Sequence, residues 1–342
     1  MKKKIAINGF GRIGRLFFRQ ALESDDIEVV AINDLGDIEN LAYLLRFDTV
    51  YGRLSNKVEV QNGAIFIDGR EVKVFSEKDP ALLPWGKLGI DVVVEATGVF
   101  TTFEAASVHV EKAGAKRVVI TAPAKDDEGV KGGKTALMGV NSNDLATCTI
   151  SSNGSCTTNA ASPLISILSV NPGIVKAVLN TVHGYTATQS ITDGPVRGKD
   201  FRKGRAAAAN IIPSTTGAAI AVTRILPHLK EKFDGIAMRV PVTTGSIVDI
   251  TFVAEKKTSV EEINTILRNA AQSDVWKDTF SVTEDPIVSS DIVGQSFGAI
   301  ADLSYTKVVD GDLVKVLSWY DNEWGYVSTL VNHVREAAKA SQ

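Results

Sequence analysis

A single thiol lies at the centre of Ser151-Ser152-Asn153-Gly154-Ser155-Cys156-Thr157-Thr158-Asn159, among hydroxyls and amides and without a charge nearby. A strand is predicted before it, and an apolar run from Leu164 to Val170 follows. The N–H groups of a helix start at such a junction favour a thiolate. The plain alternative is a small buried cysteine, and a base within reach would decide between the two. The chain offers four histidines. His109 and His333 fall in predicted helices and His228 follows Pro227, so these three read as structural or solvent-facing. His183 ends a predicted strand and opens the polar stretch Gly184 to Gln189, which makes it the natural partner of Cys156. A free cysteine with a pKa of about 8.5 is only a few per cent thiolate at pH 7. An imidazolium and a helix N-terminus are expected to lower that value by a unit or more. Sequence spacing does not show whether the two side chains meet.

Near the start of the chain, Ile5-Ala6-Ile7 reads as a buried strand and runs directly into Gly9-Phe10-Gly11-Arg12-Ile13-Gly14. Ile13, Leu16, Phe17, Phe18, Ala21 and Leu22 then recur at helical spacing, and Ile27 to Ile32 is a second strand ending at Asn33-Asp34. Strand, G-x-G-x-x-G, helix, strand and a following acid together form the dinucleotide-binding fingerprint. Gly9 and Gly11 permit the tight turn and close approach of a pyrophosphate, Gly14 lets helix meet strand, and the helix N-terminus faces the phosphate charge. Asp34 would accept hydrogen bonds from ribose hydroxyls and repel a 2′-phosphate, which favours NAD over NADP.

The elements that hold these residues follow two patterns. Through residue 150 strands and helices alternate: a helix over residues 37–46, an alternating stretch from Val58 to Phe75 with a hairpin at Asp68-Gly69, and buried strands at residues 91–97 and 117–121. Thr101 with Glu104, and Thr258 with Glu261, read as helix-capping pairs. Gly133-Lys134-Thr135 has the ending of a phosphate-binding loop, but Glu128 stands where its leading glycine is needed, so that reading is rejected. Beyond Cys156 longer alternating strands take over, including one with Val175, Ala177, Leu179, Thr181 and His183 on one face, then residues 236–242 and 247–254, and a last strand at residues 313–319. Val327, Leu330, Val331 and Val334 mark a closing helix. With 342 residues the chain exceeds one ordinary core. The fold class expected is α/β: a Rossmann-type doubly wound parallel sheet plus an α+β domain with a largely antiparallel sheet. A net charge of −3 gives no basic field for nucleic acid, and no run of 18 apolar residues suggests a membrane span. Neither a signal peptide nor a metal site is expected. Two cysteines, Cys148 and Cys156, make no disulfide framework, so a reducing cytoplasm is expected.

Five separated segments, in order, resemble phosphorylating glyceraldehyde-3-phosphate dehydrogenases. They are Asn8 to Arg15, Ser155 to Asn159, Thr181 to Thr186, Ala237-Met238-Arg239-Val240-Pro241, and Trp319-Tyr320-Asp321-Asn322-Glu323-Trp324-Gly325-Tyr326. The resemblance implies an NAD-binding domain over 1–155, a catalytic domain over 156–321, and a C-terminal helix at about 322–342 returning to the first domain. It implies that Cys156 attacks the aldehyde of glyceraldehyde 3-phosphate, that His183 handles the proton, and that a thioester is released by inorganic phosphate as 1,3-bisphosphoglycerate, in glycolysis or gluconeogenesis. It places one anion site on Thr186 and Arg239 and the other on Ser155, Thr157, Thr216 and Gly217. Around NAD it adds Lys78, Thr121 and Asn322 to Arg12, Ile13 and Asp34, and it implies a homotetramer.

Three positions depart from the family's usual pattern. Ala160 replaces a second cysteine, Gly154 replaces an alanine and is expected to loosen the backbone at the thiol, and Gly194 replaces a leucine beside the cofactor. An erythrose-4-phosphate dehydrogenase of the same family is the alternative. An acyl-phosphate reductase of the aspartate-semialdehyde dehydrogenase type is disfavoured by Asp34. A non-enzymatic nucleotide- or RNA-binding protein is disfavoured by the intact set Cys156, His183, Arg239 and Asn322.

Overall fold

Short runs rich in Val and Ile, each stopped by glycine, form parallel strands covered on both faces. In the computed structural model, which describes residues 2–196 and 198–340, they build the first of two units. This unit spans Met1–Gly154 with Val327–Gln342, and the second spans Ser155–Tyr326.

The first unit opens with β1 (Lys3–Asn8), α1 (Arg12–Leu22), β2 (Ile27–Asn33) and α2 (Ile38–Arg46). A two-strand ribbon, β3 (Phe47–Asp48) and β4 (Gly52–Arg53), precedes the meander β5 (Val58–Gln61), β6 (Ala64–Ile67) and β7 (Arg70–Phe75). Both meander turns, Asn62-Gly63 and Asp68-Gly69, have positive φ at both residues, the conformation that two-residue hairpins require. Then come α3 (Trp85–Leu88), β8 (Val92–Glu95), α4 (Phe103–Ala106), α5 (Val108–Glu111), β9 (Arg117–Ile120), β10 (Lys134–Thr135) and β11 (Ile150–Ser152).

These strands form a nine-stranded sheet ordered β10-β11-β9-β8-β1-β2-β7-β6-β5, parallel except in the meander. From β1 the chain winds one way through β2 and the other way through β8. The carboxyl ends of β1 and β8 therefore flank the topological switch point, where such sheets bind ligands. Ala6, Val93, Val118, Trp85 and Phe103 are fully buried in its core. Gly133-Lys134-Thr135 leads into edge strand β10 and not into a helix, and Glu128 accepts from the Thr135 N–H at 2.8 Å.

The second unit contains α6 (Cys156–Val170), β12 (Ile174–Gly184), β13 (Ile212–Thr215), α7 (Ala218–Ile225), β14 (Phe233–Val240), β15 (Ser246–Ala254), α8 (Val260–Ala271), β16 (Phe280–Thr283), β17 (Ala299–Val309) and β18 (Leu313–Tyr320). The chain then closes with α9 (Trp324–Lys339). The seven strands are ordered β13-β14-β12-β15-β18-β17-β16. Most pairs are antiparallel, but β12 runs parallel to β14 and β16 to β17. Helices α6, α7 and α8 contact the sheet, and strict burial alternation along β15 marks its single covered face. The other face leaves Val178, Ile236 and Leu313 exposed.

Several local expectations shift. A register break against β15 puts Ile174 on the buried face in place of Val175, which is exposed. Strand β14 spans 233–240 and stops before Pro241, which has no N–H to give the ladder. Thr102 and Ser259, one residue from the positions expected, supply the cap oxygens of α4 and α8.

Candidate active site

Helix α6 begins at Cys156 itself. Ser155 is its N-cap, with its hydroxyl accepting from the Thr158 N–H at 3.0 Å, and the Thr158 side chain returns to the Ser155 N–H. Gly154 before the cap has φ +64°, a left-handed conformation that favours glycine, so this residue fixes the sharp entry to the helix rather than loosening it. The helix continues through Pro163 to Val170. The thiol thus stands on the first turn of a fifteen-residue helix, at the positive end of its dipole.

His183 lies near the end of β12, the strand between β14 and β15. Its Nε2 is 3.4 Å from Cys156 Sγ. On the neighbouring parallel strand Arg239 is in register with His183, and its Nη1 is 2.6 Å from His183 Nδ1. The Gly184 carbonyl is also 2.6 Å from Nδ1, and Arg239 Nη1 donates to it at 3.3 Å. Nδ1 either gives a proton to the carbonyl, leaving the Nε2 lone pair for the thiol, or accepts from the guanidinium, placing the proton on Nε2. Both tautomers have partners here.

Burial pushes the Cys156 thiol up, and the opposing pull of Arg239 and the Thr157 N–H does not overcome it. His183 is pushed down to about 3, first by burial and then by the Arg239 cation, against a weaker pull from Gly184. Desolvation and the cation behind the ring, neither legible in the sequence, are what the fold adds to the expected partnership of thiol and imidazole.

Tyr320, to which sequence reasoning gave no role, braces this centre. Its hydroxyl lies 2.9 Å from Thr157 Oγ1 and 2.8 Å from Thr181 Oγ1, and its ring meets the His183 imidazole edge-on at 5.8 Å. The Thr157 hydroxyl is thus engaged in a buried bridge, and the Ser155 hydroxyl in the cap. Thr186 lies just past β12, its hydroxyl 3.0 Å from that of Thr188. Thr216 and Gly217 open α7, which packs against α6; Gly217 is exposed and gives that helix no side-chain cap. Asn322 is buried, and its carbonyl oxygen accepts from the Gly245 N–H and the Ser246 hydroxyl, both at 3.0 Å, which fixes the amide with its NH₂ outward from those donors.

In the first unit, a cavity of about 460 Å³ opens at the switch point, lined among others by Asn8, Gly9, Gly11, Asp34, Lys78 and Thr97. Gly14 has no alternative, since a Cβ there would fall 2.2 Å from the Gly9 carbonyl oxygen. A Cβ on Gly11 would meet nothing within 4 Å, so the space beside this glycine is left open for a ligand. Helix α1 starts at Arg12 with no side-chain cap and no acid in its first turn. A helix start without a side-chain cap, beside an open glycine loop, suits a pyrophosphate. The Asp34 carboxylate accepts from Phe10 N–H at 2.6 Å and Gly36 N–H at 2.8 Å, which holds it at the cavity wall for ribose hydroxyls. These residues fit a dinucleotide. The Arg12 guanidinium pairs with Asp48 and stacks over Tyr51, so its side chain is directed into the ribbon. Ile13 is half-buried on α1, and Thr121, following β9, donates its N–H to Glu95 O at 3.0 Å; neither lines this cavity.

Residues 3–103 match the family model of the glyceraldehyde 3-phosphate dehydrogenase NAD binding domain, and residues 155–322 match that of its C-terminal domain. The chain belongs to the glyceraldehyde-3-phosphate dehydrogenase family. It is 50% identical over 343 aligned residues to the glyceraldehyde-3-phosphate dehydrogenase of Clostridium pasteurianum, covering 99% of each chain. Identity is 49% to that of Streptomyces coelicolor, over 97% of each chain, and 46% to that of Streptococcus pyogenes, over the full length of both. Within this glyceraldehyde-3-phosphate dehydrogenase framework, the thiol, imidazole and guanidinium belong to the C-terminal family domain and the glycine loop to the NAD-binding one. Among the described residues no helix is long and apolar enough to cross a membrane.

Proposed function

We propose that the chain oxidises D-glyceraldehyde 3-phosphate to 1,3-bisphosphoglycerate, with NAD as oxidant and inorganic phosphate as acyl acceptor. The observation that carries this reading is Cys156 on the first turn of α6 with His183 Nε2 at 3.4 Å. With Nδ1–H donating to Gly184, the Nε2 lone pair takes the thiol proton as sulfur bonds to the aldehyde carbon. The carbonyl oxygen then recovers that proton, giving a thiohemiacetal. The Cys156 N–H and His183 hold the developing oxyanion. Bound NAD supplies the acceptor for the hydride that leaves this carbon, while His183 takes the hydroxyl proton and a thioester forms. A phosphate oxygen attacks the thioester carbonyl, the carbon–sulfur bond breaks, and the leaving thiolate regains its proton from His183.

In this scheme His183 serves as the general base to the thiol. A substrate phosphate on Arg239 and Thr186 offsets the cation that depresses His183, which eases formation of the imidazolium. Thr216 and Gly217 offer a hydroxyl, which also accepts from the Ala218 N–H at 3.2 Å, and an exposed helix start to the second phosphate, with Ser155 and Thr157 acting as the cap and brace of the thiol helix. On the cofactor side Gly9, Gly11, Gly14 and the helix start at Arg12 and Ile13 receive the pyrophosphate, Asp34 the ribose, Lys78 the adenosine half, and Asn322 the carboxamide. The exposed apolar face of the second sheet, with Val178, Ile236 and Leu313, suits association of copies into a homotetramer. Two unpaired cysteines suit a cytoplasmic setting.

The test is NADH formation from glyceraldehyde 3-phosphate with and without phosphate, using the wild type and Cys156→Ser. Phosphate-dependent turnover lost in the variant is expected. Faster, phosphate-independent oxidation of erythrose 4-phosphate, or normal turnover by Cys156→Ser, would overturn the reading.

A further inference from the structure

Behind the cofactor cavity lies a buried polar cluster that the reaction scheme does not use; Glu95, His109 and Trp85 stand outside the cavity lining, and Asn8, Asn33 and Thr97 connect them to it. Its centre is the carboxylate of Glu95, 2% exposed at the end of β8. One carboxylate oxygen accepts from Asn8 Nδ2 at 2.6 Å and lies 3.0 Å from His109 Nε2. The other accepts from the Thr97 N–H at 2.9 Å and from the Thr97 hydroxyl. His109, on α5, is fully buried, and its Nδ1 is 3.2 Å from the indole Nε1 of Trp85. An indole N–H only donates, so Nδ1 accepts, and the imidazole proton sits on Nε2 facing Glu95. A carboxylate is the side chain with enough acceptor positions for four converging donors.

From this centre the cluster reaches the cavity wall along two lines. Asn8 Oδ1 accepts from Asn33 Nδ2 at 2.7 Å, and the Asn33 amide clasps the Glu77 backbone at both N–H and C=O, at 2.8 and 2.9 Å. On the other side the Thr97 hydroxyl accepts from the Val99 N–H at 3.0 Å, and the Thr97 backbone lies so close to Gly9 that a Cβ there would come within 2.6 Å of it. The segments bearing Gly9, Asp34, Lys78 and Val99, all of which line the cavity, are thus tied to one carboxylate.

We propose that Glu95 is a positioning residue for the dinucleotide pocket, held in its acceptor role by the proton that Trp85 fixes on His109 Nε2. The proposal rests on the reading of this cavity as the NAD site, and its test separates the two. The dissociation constant for NAD is measured by calorimetry on the full-length protein, alongside the melting temperature without NAD and the rate of Cys156 alkylation. Failure of the wild type to bind NAD would strike the cavity assignment itself. With the wild type binding, Glu95→Gln, which turns an amide NH₂ toward two donors, is expected to weaken NAD at least about tenfold. His109→Leu, which removes the donor while keeping an apolar side chain against Phe100 of the cavity wall, is expected to weaken it several-fold. His109→Gln restores an N–H at the ε position and is expected to bind NAD as the wild type does, with alkylation of Cys156 unchanged throughout. A scaffold role alone would lower the melting temperature of the His109 variants together and leave their NAD affinities equal. That equality, or native affinity in folded Glu95→Gln, overturns the proposal; if Glu95→Gln does not fold, the His109 pair decides.

Discussion

His109 and His183 are both buried, and each has both ring nitrogens engaged. Around His109 a donor-only indole and a carboxylate leave the proton one place to be. Around His183 the partners are a thiol on one side and, on the other, a carbonyl and a guanidinium equally near Nδ1. One environment dictates a tautomer and the other accommodates two. A histidine of the first kind holds neighbouring loops in place. One of the second kind can take up and release a proton without its surroundings rearranging, which is what repeated transfer to and from Cys156 requires.

The sharpest way to break this contrast is to remove the mobile proton. His183→Asn is expected to lower kcat by about 10²–10⁴-fold, the usual worth of a positioned acid–base group, while leaving NAD affinity unchanged. Stopped-flow measurement of the NADH burst checks it. A burst of native rate would show that the thiol is activated without the ring.

Arg239 sets which tautomer His183 prefers, and Arg239→Gln perturbs that choice more gently. A lost charge-assisted hydrogen bond costs about 1.5–3 kcal/mol, so KM for glyceraldehyde 3-phosphate is expected to rise roughly 10- to 150-fold. The guanidinium also lowers both pKa values at the site, that of Cys156 and that of His183. Without it, the midpoint for Cys156 alkylation by iodoacetamide should move to higher pH. An unmoved midpoint would place the cation outside the thiol's field.

How far sequence reached follows the range of each interaction. The glycine loop and Asp34 are legible because one strand, turn and helix contain all of their geometry, down to the Gly14 position that closes on Gly9. Cys156 stands out because its hydroxyl-rich surroundings are local, and its helix start is written in Ser155 and Thr158. The setting of His183 is not legible in that way. It depends on β12 lying parallel to β14 in the register that brings Arg239 alongside, and strand pairing leaves no local pattern. The same holds for Tyr320, which reaches Thr157 and Thr181 across more than 130 residues, and for Glu95, whose four donors come from β1, α5 and the turn after β8. Desolvation is likewise a property of the assembled core, so its upward push on the thiol is not legible in local sequence.

A third buried histidine allows the smallest and most physical test of the contrast. Among the described residues the partners of His333 on α9 are neutral: the Ser151 hydroxyl 2.7 Å from Nε2, the Asn153 side-chain oxygen 3.1 Å from Nδ1, and the Ala136 backbone. Burial pushes its pKa down to about 3, as it does for His183. In the unfolded chain both rings regain a value near 6.5, so the unfolded state binds more protons throughout the interval between. Stability should therefore rise with pH from about 3 to about 6.5, and be lost as acid is added through that window. Each ring contributes a slope of up to about 1.4 kcal/mol per pH unit. Replacing His333 by Gln keeps a donor and an acceptor in the core and removes one such slope, leaving that of His183. Urea titrations at several pH values, fitted for the free energy of unfolding, measure the difference. A slope that His333→Gln leaves unchanged would mean that this ring takes up its proton within the fold, and that neutral partners do not suffice to hold a buried histidine uncharged.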